Sequence, residues 1–432
     1  MFTLGMIFLC RLVATVPAPG IDTAALQRII SEIESQVGGG FLGFLELFSG
    51  GALSQCAVGA LGIMPYISAS IILQLLTAVV PALERLAREG DTGRQKLGQY
   101  TRYLTLGICI IQGYVLATLV ENLHNIDASI TEPLVANPGL GFRLMTVLAM
   151  TTGTMMMMWL GEQITDRGIG NGISLVITIN IVSRLPEALF VTAGLVTGGE
   201  GLTATLNIFD LILMAAMMLV VIAGTVMLTQ GQRRVPIHTT KRVVGRKVYG
   251  GQSTYMPLRV NYSGVMPIIF ASVMLQFPSK ILEKIPLTKG LGEALMMGEP
   301  LYLVLYAAMI LFFSYFWVAT QFNPIQIADD LKKNGGYIPG IRPGRPTAEF
   351  LDKTMTRITL VGAISLTIIA VLPSIVAKQF GIPWLVASFF GGTSLLIIVG
   401  VMLDTMRQIE SHLLMRHYDG FLRKGKLRGR RR

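Results

Sequence analysis

Gly62-Ile63-Met64-Pro65-Tyr66-Ile67-Ser68-Ala69-Ser70 returns 202 residues later as Gly264-Val265-Met266-Pro267-Ile268-Ile269-Phe270-Ala271-Ser272. Six of the nine positions are identical, and each copy leads into a long uncharged stretch. A chain that repeats a Gly/Pro-interrupted apolar phrase in its two halves reads as a duplicated membrane fold. Such halves pack around a common path or site, and the interrupted helices mark where it lies.

The surroundings of the two copies agree with this. Of 432 residues, 52% are hydrophobic and 14% charged, against roughly 25% charged in a soluble domain; the mean hydropathy is +0.60. Residues 103–120, 144–161, 211–232, 260–279, 300–328, 358–377 and 379–403 contain no Asp, Glu, Lys or Arg. At about 1.5 Å per residue each covers most or all of a ~30 Å hydrocarbon core. Residues 168–183 form a shorter, Gly-interrupted run. The run from Leu47 to Leu83 has 37 uncharged residues, too long for one span and slightly short for two. One full span plus a half-helix that enters without crossing fits it, with Gly50, Gly51, Gly59, Gly62 and Pro65 as break points. Irregular backbone at membrane depth requires protein or a water-filled cavity around it, so this run implies a cavity. Met1–Val16 reads as a first span rather than a signal peptide: it has no basic n-region, and Arg11 follows the apolar run.

Ten spans with the N-terminus inside place 81–103, 161–170, 229–259, 321–357 and 406–432 on the inner side. These segments hold 28 of the 36 Lys and Arg residues. Arg11 lies in the first span, and Arg28, Arg143, Arg184, Lys280, Lys284, Lys289 and Lys378 fall outside. This is the positive-inside pattern, and dropping one span would destroy it. Ten spans divide into halves at about 1–190 and 208–405. Five spans per half is odd, so the second half is inverted and its Gly-x-Met-Pro helix runs opposite to the first.

Catalytic chemistry is hard to place. Cys10, Cys56 and Cys109 sit in apolar surroundings without a Cys-x-x-Cys pair. The four His residues lack zinc-ligand spacing. Gly420–Lys426 imitates a phosphate loop, but Leu427 stands where Ser or Thr should bind magnesium. Gly168-Ile-Gly170-Asn-Gly172 follows a polar turn and not a strand. Met155–Met158 reads as adaptable packing. The spans after the first show no ionisable residue in their cores, which argues against an ion-coupled carrier or an intramembrane hydrolase. The expectation is a non-enzyme with no cofactor and no metal. A small-solute carrier with inverted repeats would call for midplane polar ligands and short inner loops, the reverse of this chain.

Ile63 and Ile67 are spaced i, i+4, as are Ile173 and Ile177, and Ile269 lies in the second phrase. Such side chains converging on a cavity would close it by dewetting; the same spacing serves ordinary helix packing. The inner loops are long and basic, with Arg233, Arg234, Lys241, Arg242, Arg246 and Lys247 in one and Lys332, Lys333 and Arg342 in the other. Their charge serves topology and anionic lipid, or docks a polyanion such as RNA.

Together with Phe48–Ser54, Trp159–Ser174, Pro339–Gly344 and Phe390–Leu396, these features resemble the SecY family, the central subunit of the protein-conducting channel. The resemblance implies an all-α membrane protein: ten transmembrane helices in two inverted five-helix halves around a central pore, with a short re-entrant plug helix at about 46–61. It implies a pore ring of Ile63, Ile67, Ile173, Ile177, Ile269 and Ile397, and a plug containing Phe48, Ser49, Gly50, Gly51, Ala52, Leu53 and Ser54. The lateral gate lies between spans two and seven, with Pro65, Pro267 and the amides of Gln74, Gln112 and Asn261; each amide could equally be satisfied between packed helices. Arg246, Lys247 and Arg342 match positions that engage a ribosome or the SecA motor. The implied partners are SecE-like and SecG-like small subunits, SecA or the ribosome, signal peptides and nascent polypeptides, and anionic lipids. The implied location is a bacterial inner membrane, with both termini and the basic segments 229–259, 321–357 and 406–432 cytoplasmic. Family members carry a basic cytosolic segment before span one, whereas this chain starts within the span.

Overall fold

In the computed structural model, which describes residues 2–21, 23, 26, 46–126, 135, 137–197, 207–239, 242–244, 247–249, 253–284, 289–295, 299–380, 384–390 and 392–424, both copies of the repeated phrase start a helix rather than interrupt one. α1 spans Phe2–Thr15 and α2 spans Met64–Val79; the second copy opens α9, Met266–Lys284. Gly62 and Gly264 take left-handed backbone, with φ of +56° and +63°. A proline then occupies the first turn of each helix, where its missing N–H costs nothing. Pro65 therefore marks the point where the turns of 50–63 give way to a helix. A further break follows at Pro81: α2 stops at Val79, and α3, Pro81–Arg88, leaves it at 105°.

Next come α4 (Asp91–Ile126), α5 (Leu140–Arg167), α6 (Gly172–Ser183), α7 (Leu185–Thr197) and α8 (Ile208–Gln230). Beyond α9 come α10 (Lys289–Ala294), α11 (Pro300–Gln321), α12 (Pro324–Lys333), α13 (Arg345–Phe380), α14 (Trp384–Phe390) and α15 (Thr393–Lys424). Six stretches are by themselves long and apolar enough to cross a membrane: Asp91–Glu121, Leu140–Arg167, Gly172–Thr197, Ile208–Gln230, Pro300–Lys333 and Arg345–Val376. The bent pair α2–α3 makes a seventh candidate, and Phe2–Thr15 and Met266–Leu275 are shorter apolar helices. With the apolar start of α14–α15, the described helices fall in order on all ten expected spans of the all-α membrane fold.

The chain divides into two compact units, Met1–Ala193 with Val401–Arg432, and Gly194–Gly400. In the first, α1 packs on α5 and α6, α2 on α4, α4 on α5, and α5 on α6. In the second, α8 packs on α13 and α14, α9 on α11, α11 on α13, and α13 on α14. Span for span, the order of neighbours is the same. The repeated phrase thus marks a repeated packing scheme and not a coincidence of apolar words.

Two features depart from expectation. The fifth run does not end before Arg184: the helix turns there and continues to Thr197. Arg184 is buried at 9% exposure, so it is not an outer-loop charge, and the spans after the first do carry ionisable groups. The inner loop after α8 also folds into strands: β1 (Gln232–Thr239), β2 (Arg242–Val244), β3 (Lys247–Tyr249) and β4 (Ser253–Arg259), with β5 (Gly336–Tyr337) from the next loop. β1 pairs antiparallel with β4, from Gln232 opposite Arg259 to His238 opposite Ser253, and with β5 at His238 and Thr239. β2 and β3 form a separate antiparallel pair. Val235 and Leu258 point down into a core with Val318, Phe322, Ile338, Leu351 and Met355, which ties the loop to α11 and α13.

Candidate functional site

The half-helix expected at 46–61 is helical only at 46–49 among its described residues; 50–63 run in turns. Gly50 and Gly51 impose this, with φ of +69° and +83°. Gly50 also has no room for a side chain: a Cβ would lie 2.7 Å from the Arg11 guanidinium and 3.1 Å from the Asn180 backbone. The turns satisfy their own polar groups. Gly51 N–H donates to Glu46 O (3.1 Å), Ala57 N–H to Ala52 O (2.8 Å) and Gly62 N–H to Gly59 O (2.8 Å). Ser49 Oγ donates to Glu46 O at 3.1 Å and accepts from Leu53 N–H at 3.3 Å. Phe48, Ser49, Ala52, Leu53 and Ser54 are all buried. Ala52 and Ala57 pack with Val13, Ala14 and Met157, and Leu53 and Cys56 pack with Phe142 and Met150.

Polar side chains from α1 and from the α6–α7 helix converge on 46–51. Arg11 Nη1 donates to Gly50 O at 2.7 Å, and Asn180 Nδ2 to Phe48 O at 2.9 Å. Arg184 Nη2 lies 3.3 Å from the Glu46 carboxylate, while its Nη1 meets Glu187 at 2.5 Å. Two cations and two carboxylates thus balance, with Glu46 and Arg184 buried, Arg11 partly buried and Glu187 exposed. These residues were missed by sequence reasoning, although Arg11 gave a signal: an arginine inside an apolar span demands a partner.

The other expected residues are distributed as follows. In the first unit Ile63 (0% exposed), Ile67 (7%) and Ile177 (4%) are buried, and Ile173 is partly buried. Ile173 begins α6, whose N-cap is the Asn171 side chain, accepting from Ile173 and Ser174 N–H. The Gly168–Gly172 motif is this helix–helix corner: Gly172 is so close to Gly161 O that a Cβ would overlap it. In the second unit Ile269 and Ile397 are buried. Gln74 is exposed and bonds Ser70 one turn back, at 3.3 Å. Asn261 donates to Gly264 O (3.0 Å) and accepts from Ser263 Oγ (3.2 Å), bracing the turn into α9. Gln112 is partly buried, and Pro65 and Pro267 are buried. Gln74 and Asn261 thus spend their amides within their own elements.

Arg342 is exposed on a turn whose Gly340 and Gly344 have φ of +81° and +108°. Its carbonyl accepts from Thr347 Oγ1 at 2.9 Å, and Ile338 beside it anchors the loop in the core under the sheet. Arg233, Arg234, Arg259, Lys332 and Lys333 are exposed in the same unit. Arg246 and the Lys247 side chain lie outside the described residues. Among the described residues no group of His, Cys, Asp and Glu is arranged to hold a metal.

The family model described as SecY matches residues 57–406. The chain belongs to the SecY family. It is 45% identical to the protein translocase subunit SecY of Streptomyces griseus, over 98% of this chain and 96% of that protein. Its backbone superposes on that of a protein-conducting channel with a TM-score of 0.61 at 16% identity, covering 95% of this chain and 91% of the other. A second structure, of a SecY protein whose plug domain is described as stabilising the closed state and maintaining a membrane seal, gives 0.55 at 16% identity with the same coverage. These two likenesses are of fold.

Proposed function

We propose that this chain is the channel subunit of a protein translocase, a passive pore through which unfolded polypeptides cross the membrane and from which apolar segments leave sideways into lipid. The observation that carries this reading is the segment 46–62: a turn-rich stretch, buried inside a membrane-spanning unit of a SecY-family chain, with its backbone polar groups bonded to itself and its neighbours. Such a segment is a stopper. It fills a space that irregular backbone can occupy only where protein surrounds it.

In this reading Ile63, Ile67, Ile173, Ile177, Ile269 and Ile397 form the constriction. Their branched side chains exclude water at rest and enclose a moving chain without hydrogen-bonding it. α2 and α9 are the gate helices, each started by its Gly-x-Met-Pro phrase, and Gln74, Gln112 and Asn261 lie along the gate. A signal or transmembrane segment entering there gains about 25 cal/mol per Å² of apolar surface moved out of water. The chain performs no bond chemistry, so the driving force comes from a partner. Arg342, with Arg246 and Lys247, presents charge to a SecA-like motor or a ribosome on the cytoplasmic face, and SecE-like and SecG-like subunits cover apolar helix surfaces.

Cysteines at Ile67 and Ile269 test the pore. Both should crosslink to a polypeptide stalled in transit through the assembled translocase; failure at both positions removes them from the path.

A further inference from the structure

The segment 46–62 is attached in two different ways. Residues 56–59 are stitched to the end of α1 by backbone bonds: Ala18 N–H to Cys56 O (3.0 Å), Val58 N–H to Val16 O (2.8 Å) and Gly59 N–H to Val13 O (3.2 Å). They also press on Gly153, where a Cβ would overlap Val58 O. Residues 46–50 are instead held by side chains, from Arg11, Asn180 and Arg184. The stitched part has no small motion open to it, because the three bonds must break together. The side-chain ties release one by one.

We propose that Arg184 is the positioning residue that holds the plug shut, and that its division between Glu46 and Glu187 sets how strong a signal segment must be to open the channel. The proposal rests on the plug reading given above. Glu46 is 1% exposed, and its Oε2 has no hydrogen-bond partner among the described residues. Arg184 therefore supplies what neutralises it. That tie is longer than the one from the same guanidinium to Glu187, 3.3 Å against 2.5 Å. A buried cation left alone would oppose release, because burying an uncompensated charge is costly. Here Arg184 keeps Glu187, one turn along the same helix, when Glu46 departs. Glu46 in turn moves from a site that half satisfies it to the water of an opened funnel. The latch is poised because its cation is already paired on the side that stays.

The pairing gives two substitutions of opposite sign. Glu46→Gln removes the charge the latch grips. Glu187→Gln removes the carboxylate that competes with Glu46 for Arg184 and tightens the grip. In the complete translocase, reconstituted in vesicles, resting ion leak and passage of a substrate with a shortened apolar signal are measured. For Glu46→Gln both should rise about tenfold or more, the factor carried by one charge-assisted hydrogen bond. For Glu187→Gln passage of the weakened substrate should fall. Replacing 47–54 by a Gly/Ser linker of equal length, with the 56–59 stitches kept, is the control for the plug itself. Should the linker variant seal like the parent, the plug reading fails. Should the linker leak while Glu46→Gln stays tight, the latch alone is overturned. Should both point variants move in the same direction with equal losses of thermal stability, the cluster is only packing, and the proposal is again overturned.

Discussion

Gly62 and Gly264 hold equivalent places in the repeated phrase, yet their surroundings differ, which makes them a matched pair. Both have left-handed backbone, φ +56° and +63°. A side chain in that region costs about 1–2 kcal/mol. At Gly264 a Cβ would meet nothing within 4 Å, whereas at Gly62 it would press on Phe48 O and Ser49 Cα at 3.3 Å. Gly264→Ala should therefore cost the backbone term alone. Gly62→Ala should cost more, and should also unseat residues 48–49. Thermal unfolding of the two variants in the same lipid checks the ranking, and ion leak should rise for Gly62→Ala only. Equal unfolding temperatures would show that the contact with Phe48 and Ser49 is slack. The phrase was legible as a repeat, because two glycines and two prolines at one offset stand out in any apolar run. Its mechanics were not. A proline after glycine reads alike as a kink or as a first turn, and only the backbone angles distinguish them.

At the scale of elements, the spans were readable because hydrocarbon thickness imposes a length on them, and the sheet was not because nothing comparable does. β1 reads Gln-Arg-Arg-Val-Pro-Ile-His-Thr, with only Val235 and Ile237 buried by alternation, and Pro236 argues against a strand between two others. The structure resolves this conflict: β5 reaches β1 only at His238 and Thr239, so beside Pro236 the strand is an edge. Arg184 was misplaced for a related reason. A charge ends an apolar run in sequence, but a second charge, Glu46, cancels it from 138 residues away. Span lengths read from uncharged runs miss such pairs. The sheet should be held by its underside. Leu258 is 2% exposed in a core with Phe322, Leu351 and Met355. Leu258→Ala should cost about 2–5 kcal/mol locally, exposing β1 and β4 to protease while the helices stay protected. Cleavage at the parent rate would show that the strands are fixed from elsewhere.

For the whole molecule the relevant quantity is the field of its charges. The net charge is +11, and 28 of 36 cations fall in the inner segments, although a few cations near each span end suffice to orient a membrane protein. Among the described residues, Arg233, Arg234 and Arg259 on β1 and β4, and Lys332, Lys333 and Arg342 in the segment 321–357, are exposed around a sheet that shares one core with the helices beneath it. A rigid cationic surface loses little entropy on docking, so its charges contribute to affinity and not only to topology. If the partner offers RNA phosphates, binding should fall steeply with salt. Six to ten phosphate contacts lose about 10³–10⁵ in affinity between 50 and 200 mM, and each contact removed lowers the log–log slope by about 0.7–0.9. Arg342→Glu should then weaken ribosome binding and flatten the slope by about one contact, with unfolding temperature unchanged because Arg342 is exposed. Transport should fall in parallel. Binding with a flat salt response would assign these cations to topology and lipid, and leave a motor protein as the partner that reads the turn at Arg342.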